Sequence, residues 1–176
     1  GEFIDESFIA RAVKSKNTLV LRTFSKAWGL AGLRIGAVIG PATLIEKLTQ
    51  AQQPFPVPQI AIKLALAALS DQKFIDKTKL FVTRERKFLT SQLQLRGMSV
   101  SRSITNNLFI KVPNATNIVF ELEKCGVSVI NGTFFPDMPE EGFRISLKDR
   151  QTNRIFLKKL DEVLKLNHHH IRNAGG

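Results

Sequence analysis

The order of hydrophobic and polar residues along the chain predicts alternating strands and helices. Residues 18–23 form an almost continuous apolar run, typical of an interior strand that is covered on both faces of a parallel sheet. A second strand is predicted over residues 33–39. Helices are predicted over residues 42–51 and 60–69, and the second is apolar on nearly all sides, so we expect it to be buried. The proline-rich residues 54–58 predict an extended connector between these helices.

From residue 71 onward the pattern becomes that of a long amphipathic helix followed by a mixed α+β unit. Phenylalanines recur every seven residues at Phe74, Phe81 and Phe88, and this stripe is expected to belong to the core. The apolar face of the helix also includes Leu95 and, beside the phenylalanines, Ile75, Val82 and Leu89. Gly97 is predicted to end the helix. The remaining elements are strands over residues 108–112, 127–130 and 143–147 and helices over residues 117–124 and 153–164.

Composition sets the limits within which these elements fold. The chain has 176 residues, of which 43% are hydrophobic, enough for a packed core. No apolar run reaches the length of a membrane span, so no membrane partner is expected. We predict three parts: residues 1–70, a compact unit over residues 71–166, and a tail over residues 167–176 that contains the three histidines.

The charge and the cysteine count narrow the classes of function. Lys and Arg number 26 against 15 Asp and Glu, a net charge of +11. The basic residues are spread through helices and interleaved with acids, and no nucleic-acid-binding motif is present, so we interpret them as a solvated surface rather than a nucleic-acid site. The single cysteine, Cys125, excludes a disulfide within the chain and favours a cytoplasmic location. No His/Cys set suits a metal, and none is predicted.

Candidate chemistry is concentrated where the first predicted strand ends. Ser25 and Lys26 follow that strand directly, and Arg34 lies shortly beyond them. Ligands of open parallel sheets bind at the carboxyl ends of strands, where Asp5 would also lie if residues 3–5 end a neighbouring strand. A half-buried lysine at such a place suits Schiff-base chemistry, while Ser25 and Arg34 could hold a phosphate. An ordinary strand-end lysine beside a cap-forming serine is the alternative interpretation.

Four segments carry a resemblance to a known family. Residues 23–36 (TFSKAWGLAGLRIG) resemble the Schiff-base lysine motif of fold-type I pyridoxal-phosphate enzymes, and most of all the histidinol-phosphate aminotransferase branch of the class I/II aminotransferases. Residues 3–6 resemble that family's aspartate-bearing strand, and residues 143–146 resemble its strand with a carboxylate-binding arginine. Residues 105–106 precede a predicted strand, as in the small domain of that family. The similarity is collinear over residues 2–165.

The resemblance implies a role for individual residues. Lys26 would be the catalytic lysine, which holds the cofactor aldehyde and then moves the proton at the substrate Cα. Asp5 would bind the pyridinium nitrogen of pyridoxal 5'-phosphate. The remaining implied ligands are Thr23, Ser25 and Arg34 for the cofactor phosphate and Arg144 and Asn106 for the substrate.

The resemblance also implies an α/β fold: the C-terminal part of a fold-type I transferase, with a remnant of the large-domain sheet and a small α+β domain. The implied activity is transfer of an amino group between an amino acid or phosphorylated amino compound and a 2-oxo acid, as in histidine biosynthesis. The expected partner is a second copy of the chain, as in a homodimer, or the N-terminal half that the family has before Gly1.

Two departures from the family pattern concern the site. Phe8 stands where the family usually has a tyrosine, and residues 127–130 lack a second arginine common in the histidinol-phosphate branch. Two alternatives therefore stay open. The chain could belong to a decarboxylase of the same branch, or it could be a catalytically silent fragment that binds a partner chain.

Overall fold

The computed structural model describes residue 3, residues 7–136 and residues 141–173, with residues 166–173 described by their backbone alone. The helices are α1 (Ile9–Lys14), α2 (Ala42–Ala51), α3 (Gln59–Leu69), α4 (Gln72–Gln94), α5 (Ala115–Lys124) and α6 (Arg150–Asn173). The strands are β1 (Val20–Thr23), β2 (Gly36–Ile39), β3 (Ser99–Val100), β4 (Asn107–Lys111), β5 (Ile130–Asn131) and β6 (Gly142–Ser146). Within these residues no helix is both long enough and apolar enough to cross a lipid bilayer.

The chain divides into two compact units, Gly1–Leu80 and Phe81–Gly176. The division falls within α4, ten residues beyond the domain boundary expected between residues 70 and 71, and the proposed domain limits stay a prediction.

In the first unit, β1 and β2 form a two-stranded antiparallel sheet. Val20 is opposite Ile39, and Thr23 is opposite Gly36. At Gly36 a β-carbon would lie 2.7 Å from the carbonyl oxygen of Arg22, so the close approach of the two strands requires glycine. The parallel partner expected at residues 3–5 is not tested, because Phe3 lies in a turn and Ile4 and Asp5 lie outside the described residues.

Two burial predictions for the first unit are wrong. Leu21, expected to be covered on an interior strand, is 76% exposed. Helix α3 has the predicted position, yet only Ala61 and Ala65 are buried. A helix that is apolar all round does not indicate how many of its faces have neighbours, and in this chain only the alanine face is covered.

The second unit is built on a four-stranded antiparallel sheet with the order β3-β4-β6-β5. Side chains alternate between its two faces. One face is fully buried and carries Leu108, Ile110, Phe143 and Ile145. The opposite face carries the register pair Phe109 and Arg144, both half-buried. The core of this unit therefore leaves one sheet face free to carry functional side chains.

Helix α4 buries only part of the apolar face predicted for it. Ile75, Val82 and Leu89 are at most 5% exposed, whereas Phe74 and Phe81 are more than 40% exposed. The two stripes are adjacent on the helix and share the seven-residue spacing, so the sequence pattern alone does not indicate which one faces the core. The predicted stop at Gly97 is confirmed.

The second unit also differs from prediction at two element ends. Only Ile130 of the strand predicted over residues 127–130 is in a ladder, as part of β5. Helix α6 continues to Asn173, beyond the predicted end at residue 164 and through the three histidines. Residues 165–173 contain no glycine or proline, which explains why the helix does not stop there.

Candidate cofactor and substrate sites

The loop between β1 and β2 carries most of the predicted cofactor-binding residues. The Phe24 backbone N–H donates to the Ile35 carbonyl at 3.3 Å, which joins the two ends of the loop. Ser25 directly follows Phe24 and Arg34 directly precedes Ile35, so this hydrogen bond brings Ser25 and Arg34 to the same end of the loop. The Thr23 hydroxyl accepts a hydrogen bond from the Ser25 backbone N–H at 3.1 Å.

Lys26 occupies the outer side of a tight turn in this loop. The Gly29 N–H donates to the Lys26 carbonyl at 3.1 Å, and Gly29 has a φ of +71°, which glycine adopts without strain. Phe24 and Ala27 take the buried positions of the turn. Lys26 is therefore exposed, and the expectation that it would be half-buried is wrong for this chain.

Arg34 has a backbone conformation that is uncommon outside glycine. Its φ is +51°, in the left-handed region, and it follows a short 3₁₀ turn over Ala31–Leu33. The side-chain Nη1 donates to the Ala31 carbonyl at 3.1 Å, which uses one of its five N–H donors. Such conformations cost about 1–3 kcal/mol and are found at ligand-binding loops more often than elsewhere.

The donor chemistry of this loop fits the cofactor that the resemblance implies. Thr23 and Ser25 supply hydroxyl groups, Arg34 supplies a guanidinium, and Lys26 supplies the amine that an aldehyde requires. These groups suit an aldehyde with a phosphate tail. The predicted ring-nitrogen partner, Asp5, lies outside the described residues.

An apolar cavity of about 480 Å³ borders the same loop. The loop reaches it through Thr23, Phe24 and Trp28, and the Phe24 and Trp28 rings lie 6.2 Å apart at 41°. Ser25, Lys26 and Arg34 are not among its lining residues. The cavity therefore lies beside the lysine turn rather than at its amine.

In the second unit, Arg144 lies on the free sheet face with an unused donor. Its guanidinium carbon is 5.4 Å from the centre of the Phe135 ring. Its Nε is shielded from solvent and has no hydrogen-bond partner among the residues that the structure describes. A guanidinium with an unpaired Nε–H is a group that a carboxylate would satisfy.

Arg144 borders two cavities, and the smaller one contains residues that the sequence did not single out. This cavity, of about 210 Å³, is lined by Arg102, Ser101, Ser103 and Phe135 as well as by Arg144. The serine–arginine–serine order of residues 101–103 was a visible polar signal, but nothing local indicates that it lies beside Arg144. Phe135 comes from an irregular segment before β6 and had no periodic signal.

The larger cavity, of about 480 Å³, is held in shape by a charged network behind it. Asn153, which lines the cavity, donates to a Glu85 carboxylate oxygen at 2.9 Å and to the Lys148 carbonyl at 2.7 Å. Arg150 donates to both Glu85 oxygens at 2.9–3.1 Å. These bonds fix the connection from β6 to α6, directly after the strand that bears Arg144.

The electrostatics of this network favour the charged form of Glu85. The hydrogen bond from Arg150 lowers the pKa of the Glu85 carboxyl below its usual value, and burial opposes the shift without cancelling it. The backbone N–H and hydroxyl of Thr152 likewise lower the pKa of Asp149, the residue that caps α6.

Asn106, the other predicted substrate ligand, is half-buried just before β4. Its backbone carbonyl accepts a hydrogen bond from the Leu147 N–H at 2.9 Å. Its side-chain oxygen accepts a long hydrogen bond of 3.5 Å from the side-chain Nδ2 of Asn107. It therefore lies at the end of the sheet pair that carries Arg144. No group of His, Cys, Asp and Glu side chains within the described residues could hold a metal ion.

Comparison with known proteins relates these sites to a family. A sequence model described as aminotransferase class I and II matches residues 1–160. Histidinol-phosphate aminotransferase 2 of Carboxydothermus hydrogenoformans is 36% identical over 154 residues, which is 87% of this chain and 42% of that protein. The chain spans between about a third and a half of the length of the curated relatives most similar to it, from 34% to 49%.

Solved structures show the same relation. Histidinol-phosphate aminotransferase of Sinorhizobium meliloti, in complex with pyridoxal-5'-phosphate, superposes with a TM-score of 0.82 and 25% identity over 89% of this chain and 44% of that one. L-threonine-O-3-phosphate decarboxylase of Porphyromonas gingivalis superposes with a TM-score of 0.78 and 24% identity, over 93% of this chain and 52% of that one. The second likeness shows the fold alone.

Proposed function

The chain belongs to the class I and II aminotransferases, a family of pyridoxal-phosphate enzymes with an α/β fold. We propose that it is a C-terminal part of such an enzyme and carries the cofactor lysine and the substrate-binding arginine. The reaction is transfer of an amino group between an amino acid or phosphorylated amino compound and a 2-oxo acid. The observation that carries the proposal is the β1–β2 loop, in which one backbone hydrogen bond joins the segment of Thr23, Ser25 and Lys26 to that of Arg34.

Each residue of the loop has a separate task in this proposal. Pyridoxal phosphate, when bound, supplies an electron sink for charge that develops at the substrate Cα. Lys26 would hold the aldehyde and, once the substrate amine has released it, would move the proton at the substrate Cα. The hydroxyls of Thr23 and Ser25 and the guanidinium of Arg34 would bind the phosphate.

On the second unit, Arg144 orients the substrate. Its guanidinium can bind a carboxylate through two parallel hydrogen bonds, and the shielded Nε gains the partner that it lacks among the described residues. A carboxylate held in this way fixes which bond at Cα is aligned for reaction. Asn106 is the second proposed substrate ligand, at the start of the neighbouring strand.

The setting of the proposed activity follows from the same family membership. We propose residues 1–70 as part of the cofactor-binding domain and residues 71–166 as a smaller domain, in a cytoplasmic homodimer. Relatives named histidinol-phosphate aminotransferase support a role in amino-acid biosynthesis.

A cofactor titration tests the role of Lys26. Pyridoxal phosphate is added to the chain and to a Lys26→Ala variant, and binding is followed by the visible absorbance of the bound cofactor. We expect the substitution to weaken binding at least about tenfold, because other surface amines lack the phosphate-binding neighbours.

Lys16→Ala, which removes an exposed lysine of the same unit, is the matched control and should leave the titration unchanged. Identical titrations for the wild type and Lys26→Ala would favour the catalytically silent fragment instead.

A further inference from the structure

The smaller cavity beside Arg144 is bordered by a second arginine. Arg102 and Arg144 both line this space of about 210 Å³, and no Asp or Glu is among its described lining residues. Arg102 is exposed and forms no hydrogen bond or ion pair within the part of the chain that the structure describes. Two arginines therefore line the cavity, and none of its lining residues within the described part of the chain is acidic.

We propose that Arg102 is a specificity-determining residue that makes this cavity select ligands with two anionic groups. One group, a carboxylate, binds Arg144, and the second binds Arg102. The inference rests on the proposed function for the role of Arg144 and adds a residue, and a charge requirement, to the substrate class.

The electrostatic reason is the difference between one and two negative charges. Two guanidinium groups that border the same small cavity repel each other, and a singly charged ligand neutralises only one of them. A doubly charged ligand neutralises both guanidinium groups. Its affinity for the cavity should therefore exceed that of a ligand with one carboxylate by more than the difference in size explains. At roughly 30 Å³ per water, the cavity holds about seven waters, enough for a compact dicarboxylate.

The segment that carries Arg102 is attached to the sheet beside the cavity. Phe109 and Phe135 supply aromatic surface to the lining. The Ser103 hydroxyl donates to the Asn107 carbonyl at 2.6 Å, and the Ser101 N–H donates to the Phe109 carbonyl at 2.9 Å. These two hydrogen bonds attach the segment that carries Arg102 to β4 and its flanks, so the backbone on both sides of the arginine is held in place.

The experiment compares malonate with acetate as probes, measured by titration calorimetry on the whole chain in a buffer without other small organic anions. The wild type should bind malonate about tenfold more tightly than acetate, because the second carboxylate gains a charged hydrogen bond. Arg102→Gln should reduce malonate binding to the level of acetate and leave acetate binding unchanged. Arg144→Gln should weaken both.

Arg84→Gln, at an exposed arginine of α4 that lines neither cavity, is the matched control and should change nothing. Circular dichroism of each variant checks that it is folded, and Arg102→Lys should retain part of the preference by keeping the charge. An unchanged preference for malonate in Arg102→Gln would overturn the inference.

Because these titrations contain no cofactor, they also separate this inference from the proposed function. Lys26→Ala should retain the full preference for malonate, whatever the cofactor titration shows. Equal binding of malonate and acetate by the wild type, with normal cofactor binding, would refute the role of Arg102 and leave the aminotransferase proposal standing.

Discussion

At the scale of single residues, the most strongly constrained charge in the second unit is Glu85. Its side chain is almost fully buried, and it receives hydrogen bonds from Arg150 and Asn153. The Arg150 guanidinium also lies 3.8 Å from the centre of the Phe88 ring. The carboxylate is therefore a fixed acceptor that ties α4 to the start of α6, beside the strand of Arg144.

Replacing Glu85 by Gln should lower the free energy of unfolding at neutral pH by about 2 kcal/mol, because Arg150 loses a charged acceptor. The pKa of Glu85 is lowered by folding, so its stabilising effect is complete above the ordinary value of 4.5 and is lost as the pH falls below it. Urea unfolding at several pH values should show the gap between wild type and variant closing below that value.

Glu123→Gln is the control, since Glu123 is an exposed residue of α5. A gap between wild type and Glu85→Gln that stays constant from neutral to acid pH would contradict the assigned role of the charge.

Individual residues also show what a sequence can indicate about a site. Ser25, Lys26 and Arg34 could be predicted because they lie within ten residues of one another in a single loop. The shielding of the Arg144 Nε and the proximity of Arg102 and Phe135 could not, because these residues meet only through the pairing of β3, β4 and β6. The exposure of Lys26 could not be predicted either, because Phe24 and Ala27 take the buried positions of the turn and the sequence does not indicate which positions those are.

At the scale of elements, local signals predicted where segments begin and end better than which face they bury. Helix α2 has the predicted bounds because Pro41 precedes it and the prolines of residues 54–58 follow it. At the end of α4, the Met98 N–H returns to the Leu93 carbonyl at 3.1 Å and Gly97 has a φ of +74°, the arrangement that a C-terminal glycine predicts. Burial depends on neighbouring elements, and it was predicted wrongly for α3.

The two stripes of α4 provide a direct test of the observed packing. Leu89→Ala should cost about 3 kcal/mol of unfolding free energy, because Leu89 is fully buried. Phe81→Ala removes a larger side chain, but Phe81 is 41% exposed. The substitution should therefore cost only about 1 kcal/mol of unfolding free energy or less. Urea unfolding of both variants measures the order, and a greater loss for Phe81→Ala would restore the phenylalanine stripe as the core.

At the scale of the whole molecule, the core is unevenly distributed between the two units. All of the largest fully buried side chains within the described residues lie beyond residue 80: Phe143, Leu89, Leu93, Leu108, Ile110, Leu122, Leu160 and Val163. The first unit instead exposes large apolar side chains on β1, β2 and α3. The family resemblance implied the fold class, and the order of elements predicted the α+β unit, but neither indicated this imbalance, because it depends on what each face contacts.

Amide hydrogen exchange should show that the second unit, which has the larger core, is the more protected of the two. Backbone amides of β4 and β6 should exchange on the order of 100-fold more slowly than those of β1 and β2, equivalent to about 3 kcal/mol in opening free energy. Mass spectrometry of peptides after deuterium labelling measures both sheets in one sample. Equal protection of the two sheets would contradict the assignment of the main core to the second unit.

The central claim is that Lys26 is the amine that receives the cofactor aldehyde, and covalent trapping tests it most directly. The chain is incubated with substoichiometric pyridoxal phosphate, reduced with borohydride, digested and mapped by mass spectrometry. We predict that the label is found mainly on the peptide containing Lys26, and that Arg34→Gln disperses it by removing a phosphate ligand. A label spread evenly over the exposed lysines of the wild-type chain would contradict the claim.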